Sequence, residues 1–180
     1  MKMTPFNTLF FAIAVLVGLF VGLQYPGVAI LFLFPVVGLV AFILLRNKSG
    51  AIADSALMAE AMKLIPGSGK SRIYVMRKGF VGGQQGMNIT INGEMQSQIR
   101  TKYFLMAEVD PGEHSILAQM SSGTKGAAVT HDISLKSGES VLLDMKLNMG
   151  ALQGKPDFTE IRDMVQAKAM LNGLKLVEWK

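Results

Sequence analysis

The stretch PGSGKSRIYVMR at residues 66–77 decides the fold, because it joins the Gly-Lys-Ser ending of a phosphate-binding loop to the pattern of a strand. A phosphate-binding loop needs Gly, four further residues and then Gly-Lys-Ser or Gly-Lys-Thr, but Leu64 stands where its first glycine should be. Such a loop also follows a strand and opens a helix. Here helix-forming residues precede the loop and the strand comes after it. We therefore interpret residues 66–71 as a Gly/Ser linker and find no support for nucleotide binding.

From residue 71 to residue 147, apolar residues recur at every second position, which is typical of strands with one buried face. Turn-forming sequences separate the segments, and Asn92-Gly93 suits a two-residue hairpin turn. In the last segment, Val141, Leu143 and Met145 are predicted to face the core, and Asp144 is predicted to face water. The predicted strands are 72–77, 87–91, 95–99, 102–109, 115–120, 127–135 and 141–147. This pattern predicts an all-β antiparallel sandwich or barrel.

The C-terminal part changes to helical spacing, with Phe158, Ile161, Val165 and Ala169 predicted on one buried face. Asn172-Gly173 predicts the end of this helix, and residues 174–179 are predicted to add a short final strand. A second helix is predicted over residues 51–64, which are rich in Ala, Met, Leu and Glu. We expect the C-terminal helix to pack on the sandwich or against this second helix.

The N-terminal part is apolar, and residues 3–45 contain no charged side chain. This length is about twice the roughly 20 residues that a spanning helix needs, and Pro26-Gly27 breaks it near the middle. The sequence predicts a transmembrane hairpin with helices at 6–23 and 28–45, in preference to a cleaved signal peptide. The predicted organisation is therefore a hairpin (1–48), a linker helix and Gly/Ser linker (49–70), a β-sandwich (71–150) and a C-terminal helix and tail (151–180).

Small residues recur every four positions in the first predicted helix, at Ala14, Gly18 and Gly22. This spacing lets two helix backbones approach closely in lipid. The predicted packing partner is the second helix of the hairpin or a second copy of the chain.

The orientation of the hairpin follows from the positive charges that flank it. Lys2 precedes it, Arg46 and Lys48 follow it, and the turn is uncharged. The positive-inside rule then predicts a multi-pass inner-membrane protein with both termini and the β domain in the cytoplasm. A periplasmic β domain is the alternative.

Residues 72–77 and 89–118 resemble two signatures of the bacterial domain of unknown function 2846, and the likeness covers about residues 71–147. The match is carried by Asn92-Gly93, Tyr103-Phe104 and Pro111-Gly112-Glu113-His114. The resemblance implies a small transthyretin-like or PEGA-like sandwich of bacterial envelopes, in which these turns are fold signatures. It implies no reaction and therefore no catalytic residues. The chain departs from members that look like lipoproteins, because it has no cysteine.

The two histidines are the first candidates for chemistry. His114 is interpreted as part of the Pro-Gly-Glu-His turn, and His131 as a core residue on an alternating strand. A zinc site would need three or four closely spaced ligands, and the sequence shows none. Asp132 and Asp144 are predicted on solvent faces, and no nucleophile motif such as Gly-x-Ser-x-Gly is present. We therefore predict no catalytic residues, no metal and no cofactor.

Two features favour contacts with other molecules. The chain has thirteen methionines, which are interpreted mainly as core residues, with an adaptable contact surface or soft-metal binding as alternatives. The Gly-rich segment 78–86 carries Phe80 and Val81, which either form an interface loop or fold back onto the sandwich.

The function that the sequence favours is a membrane-anchored, non-enzymatic binding or scaffolding module at the bacterial inner membrane. Its predicted partner is another envelope or membrane protein, or a second copy. The alternative is an accessory subunit that docks in a larger membrane complex through its hairpin, and an enzyme with an unrecognised site is a third hypothesis. The net charge of +5 is spread along the chain without a basic block, so nucleic-acid binding is not expected.

Overall fold

The structure, a computed structural model, describes residues 50–78, 85–121, 128–149 and 154–180, together with residues 22, 24, 25, 27, 34, 37 and 38. The chain divides into two compact units, Met1–Leu45 and Arg46–Lys180. The described part of the second unit contains strands β1 (Ser71–Arg77), β2 (Met87–Ile91), β3 (Met95–Ile99), β4 (Tyr103–Val109), β5 (Gly112–Met120), β6 (Val129–Leu135), β7 (Ser140–Met149), β8 (Gly154–Ile161) and β9 (Lys175–Leu176). Its helices are α1 (Ser55–Ala61), before β1, and α2 (Met164–Leu171), between β8 and β9.

These strands form two sheets, with the orders β8-β7-β1-β4-β9 and β3-β2-β5-β6. The predicted β-sandwich is confirmed, but its strands are not all antiparallel. β1 pairs with β7 in parallel, and β4 pairs with β9 in parallel. Alternating hydrophobicity shows which residues face the core but not which way a neighbouring strand runs, so the sequence could not reveal these pairings.

The main core lies between the two sheets. Ile73 and Val75 of β1 face Ile89 of β2 and Ile116 of β5 across it, among other fully buried aliphatic side chains. The opposite face of the five-stranded sheet carries a second apolar cluster that includes Tyr74, Met76, Phe104 and Leu142, covered by Ala61, Leu64, Ala167 and Leu171. The fold therefore has three layers: a four-stranded sheet, a five-stranded sheet and a helical layer.

Strand β1 lies at the centre of this arrangement, and all seven of its residues are buried. It pairs with β4 on one side and with β7 on the other. Its alternate side chains enter the two apolar clusters on opposite faces of the sheet.

The predicted transmembrane hairpin is wrong, because no helix among the described residues is long and apolar enough to cross a membrane. The predicted multi-pass inner-membrane location and the predicted orientation depended on this hairpin and are therefore also wrong. The prediction relied on the absence of charge in residues 3–45, and apolar composition alone does not ensure a continuous helix of the required length. Most of this segment, including Ala14 and Gly18, lies outside the described residues, whereas Gly22 is described and has helical backbone.

The predicted C-terminal helix begins later than expected. Residues 154–161 form β8, which pairs antiparallel with β7, and α2 begins only at Met164, with Asp163 as its N-cap. Phe158 packs on the main core and Ile161 on the second cluster, so they lie on opposite faces of a strand and not on one helical face. Val165 and Ala169, predicted to be buried, are exposed on α2.

Arg72 attaches the helical layer to the sheet. Its side chain is only 5% exposed. Its Nε donates to Glu108 Oε2 at 2.9 Å, its Nη2 donates to Glu60 Oε1 at 3.0 Å, and its Nη1 donates to the Glu60 carbonyl at 3.2 Å. The neighbouring Tyr74 hydroxyl donates to the Ala61 carbonyl at 2.9 Å. Burial opposes the charge of Arg72, but the hydrogen bonds to Glu60 and Glu108 hold its pKa above the ordinary value.

The Gly-Lys-Ser segment is tied to the end of β4. The Gly67 amide donates to Glu108 Oε2 at 3.1 Å, and Lys70 Nζ donates to Asp110 Oδ1 at 2.7 Å. The hydrogen bonds from Arg72 and Gly67 hold the pKa of Glu108 below its usual range. The amide and the lysine that would face a phosphate in a nucleotide-binding loop are thus both bound to carboxylates.

Replacing Arg72 by alanine should lower the free energy of unfolding by about 2 kcal/mol, because several charge-assisted hydrogen bonds and a buried side chain are lost. Lys70→Ala is the control, since its ion pair with Asp110 is exposed to solvent and should contribute far less to the free energy of unfolding than Arg72 does. Denaturant titration of both variants measures the difference. Equal effects of the two substitutions would contradict the role given to Arg72.

Candidate functional site

The predicted fold-signature turns are brought together by one polar cluster. Asn92 and Gly93 have φ values of 54° and 75°, as a two-residue hairpin turn requires. The Asn92 amide nitrogen lies 3.0 Å from His114 Nδ1, and its Oδ1 accepts from the Ser115 amide at 3.0 Å. His114 Nε2 lies 2.8 Å from the Asp110 carbonyl.

This geometry defines the hydrogen-bonding state of His114. A carbonyl oxygen only accepts, so Nε2 carries the hydrogen, and Nδ1 accepts from Asn92. The neutral imidazole thereby links the turn after β2 to the Pro111-Gly112 turn before β5. Both ring nitrogens are used, which makes His114 a structural residue. The sequence could not show its bond to Asn92, which depends on the pairing of β2 with β5.

His131 lies at the boundary between the two sheets and not in the core. Its ring stacks on Phe158 with centroids 5.1 Å apart, and its Nε2 lies 2.9 Å from Glu160 Oε1. Arg162 extends this contact, since it donates to Glu160, to Glu139 and to a backbone carbonyl of β6. These side chains connect β6 to β8 and do not converge on a cavity.

Asp144 is buried, contrary to the prediction that it faces water. It lies on the sheet face that the helical layer covers, and it is only 5% exposed. Its Oδ2 lies 3.6 Å from Lys146 Nζ, and its Oδ1 has no hydrogen-bond partner among the described residues. Burial raises the pKa of this carboxyl. Asp132 is exposed on β6 in the other sheet, so the two do not form a catalytic pair.

The structure describes some of the remaining predicted features, namely the methionines and the metal-ligating residues, but not the predicted interface loop. Phe80 and Val81 lie outside the described residues. Met76, Met87, Met120 and Met145 are buried in the two clusters. Within the described ranges there is no group of three or more His, Asp or Glu side chains that could hold a metal ion.

A groove of about 610 Å³ lies between the segment after α1 and one side of α2. Its apolar lining residues are Met62, Leu64, Ile65, Met164, Val165 and Ala169. Ile65 is 68% exposed and Val165 is 82% exposed. The charged lining residues are two lysines, Lys63 and Lys168. We call this surface the α1–α2 groove.

The groove depends on an unusual backbone conformation at Leu64, which has φ of 59°. A non-glycine residue in this left-handed region costs about 1–3 kcal/mol. Its side chain is buried in the second cluster, and its carbonyl accepts from the Ser140 hydroxyl at 2.9 Å. The chain therefore turns sharply here, which buries Leu64 and leaves the next side chain, Ile65, on the wall of the groove.

Sequence reasoning missed this groove for a specific reason. Val165 belongs to the helical stripe that was predicted to be buried, and the structure leaves it in solvent. The helix predicted over residues 51–64 ends at Ala61, so Ile65 follows a turn and not a helix. The predicted stripe runs from Phe158 to Ala169, whereas α2 begins only at Met164. A stripe of this length could have indicated that some of its residues contact something other than the core.

Comparison with protein-family models found no match, and a search of curated proteins found no relative. The resemblance to the domain of unknown function 2846 stays a prediction.

Asp144→Asn should raise the free energy of unfolding by about 1 kcal/mol at neutral pH, because it removes a buried charge whose Oδ1 lacks a partner. The folded-state pKa is raised, so ionisation of Asp144 destabilises the protein as pH rises through that value. The gain should disappear below the ordinary aspartate pKa of about 4.

Asp132→Asn is the matched control, since this exposed carboxylate on β6 should leave the free energy of unfolding unchanged within about 0.5 kcal/mol. Urea titrations over a range of pH measure both variants. A loss of stability in Asp144→Asn at neutral pH would show that the carboxylate is stabilised in the fold.

Proposed function

We propose that the chain is a non-enzymatic binding module that docks a segment of another protein in the α1–α2 groove. The observation that carries the proposal is the exposure of Ile65 and Val165, which both line one concave surface. Burial of apolar surface contributes about 25 cal/mol per Å². A partner that fills the groove would therefore gain free energy from two large aliphatic side chains that the fold leaves in water.

The side chains around these two residues suit an adaptable contact surface. Met62 and Met164 line the groove, and both are only partly buried. Methionine has an unbranched, polarisable side chain that adjusts to irregular partners. The strained Leu64 supports the same interpretation, because strained conformations cluster at functional sites.

Two sheet edges are covered by the chain itself, which disfavours them as docking sites for an added strand. The Lys180 amide donates to the Gln96 carbonyl on β3 at 3.0 Å, and the Ala53 amide donates to the Leu176 carbonyl on β9 at 3.0 Å. These contacts occupy carbonyls that an added strand would use.

The other two edges are also protected. Arg162 donates to the Ser134 carbonyl on β6 at 3.4 Å. Pro156 lies in β8 and has no N–H to donate. Among the surfaces that the structure describes, we therefore favour the α1–α2 groove over these edges as the docking site.

Photo-crosslinking tests this proposal in cells that naturally make the protein. With p-benzoylphenylalanine in place of Val165, we expect one discrete protein adduct, identified by mass spectrometry. The same probe in place of Leu117, an exposed apolar residue of β5, should not give it. Ile65→Ser in the chain that carries the Val165 probe should abolish the adduct.

The matched control for Ile65→Ser is Ile52→Ser, because Ile52 is 56% exposed and does not line the groove. Both substitutions should change the free energy of unfolding by less than about 0.5 kcal/mol. An adduct that survives Ile65→Ser, or is lost equally in Ile52→Ser, would exclude the groove as the docking site.

A further inference from the structure

We infer that the occupant of the α1–α2 groove is a short amphipathic helix of a partner protein, with apolar side chains on one face and acidic side chains beside them. This inference rests on the proposed function and adds the chemistry of the partner. Its support comes from the charges that line the groove, from the shape of the groove and from the contacts of each lysine.

The charge of the lining is entirely positive. Lys168 lies in the last turn of α2 and has no ion pair among the described residues. Lys63 Nζ lies 2.6 Å from Glu60 Oε2, but the same carboxylate also binds Arg72 through Oε1. Arg72 also binds Glu108, so these two carboxylates balance Lys63 and Arg72. Lys168 is the groove cation without a counter-charge among the described residues, and an acidic side chain of a partner would supply one. Complementary charges beside an apolar contact favour association and set the orientation of the partner.

The shape of the groove favours a helix. Ile65 and Met62 come from the segment at the end of α1, and Val165 and Ala169 come from α2, so apolar side chains of two segments line one open, shallow surface. An amphipathic helix inserts side chains spaced by three, four and seven residues into such a groove. An extended peptide would instead need a free sheet edge, and the described edges are covered or interrupted.

Two other occupants fit the groove less well. A second copy of the chain would bring like surfaces together around a two-fold axis, and the lysines of both copies would then be close and repel each other. A flat lipid surface would reach the exposed Ile65 and Val165 but would leave the partly buried lining residues Met62 and Met164 without a partner. Both alternatives are outcomes of the experiment below.

A peptide selection on the full chain tests the inference. The probe is a displayed library of helical peptides of about 15 residues, with both apolar and charged positions randomised. Peptides are selected on the wild-type chain after depletion on Val165→Asp. We expect enriched peptides to carry Asp or Glu beside an apolar stripe and to bind about tenfold more weakly to Lys168→Glu.

Matched variants separate charge from other effects. Lys168→Arg should retain binding of the enriched peptides, and Lys155→Glu, an exposed lysine at the far end of β8, should leave it unchanged. Raising the salt concentration to about 1 M should reduce the loss caused by Lys168→Glu, because screening weakens the ion pair. Circular dichroism of the bound peptide should show helix.

The outcomes distinguish this inference from the proposed function. Enriched peptides that depend on Val165 but are neutral, basic or non-helical would overturn the inference and leave the groove as a docking site. The absence of any peptide that discriminates wild type from Val165→Asp would contradict both. Val165-dependent dimerisation in sedimentation, or Val165-dependent binding to anionic vesicles without peptide enrichment, would assign the groove to a second copy or to lipid instead.

Discussion

The buried guanidinium of Arg72 is the interaction on which the helical layer and its groove depend. It lies on β1, the central strand, whose two faces are both covered. One face packs on the second sheet without assistance, because it is purely apolar at its centre. The other face needs the helical layer, and Arg72 holds that layer through Glu60 while Tyr74 binds the end of α1. The α1–α2 groove lies on the outer side of this layer. A buried contact on the central strand therefore helps to position a groove on the surface.

The helical layer also explains why the segment that resembles the end of a phosphate-binding loop connects two elements of the fold and does not bind a nucleotide. The segment with Gly67 and Lys70 connects α1 to β1 across the end of β4. Gly67 permits a close approach to Glu108, and Lys70 forms an ion pair with Asp110. The same residue types that bind a phosphate here bind carboxylates, because the helix precedes the loop and no helix N-terminus faces it. The order of helix, loop and strand, and not the presence of Gly-Lys-Ser, therefore determines what the segment binds.

Much of the sandwich could be predicted from the sequence, because strands such as β2 and β3 alternate clearly around Asn92-Gly93. The prediction was wrong where two faces of one sheet are covered. Asp144 lies in an alternating segment and was predicted to face solvent, since the sequence does not show that this face of the sheet is covered. The groove was missed because Val165 was taken as a core residue. The hairpin was predicted from the length and apolar composition of residues 3–45, but no helix among the described residues is long and apolar enough to span a membrane.

Hydrogen exchange of backbone amides in the full chain and in Arg72→Ala tests the central claim most directly. The account predicts that amides of β1 exchange slowly in both proteins. It also predicts that those of α1 and of Leu64, which donates to Ala61, exchange at least about tenfold faster in the variant, since local opening depends on few buried contacts. Unchanged protection of α1 and Leu64 in Arg72→Ala would contradict the account, because the helical layer and its groove would then be held by other contacts.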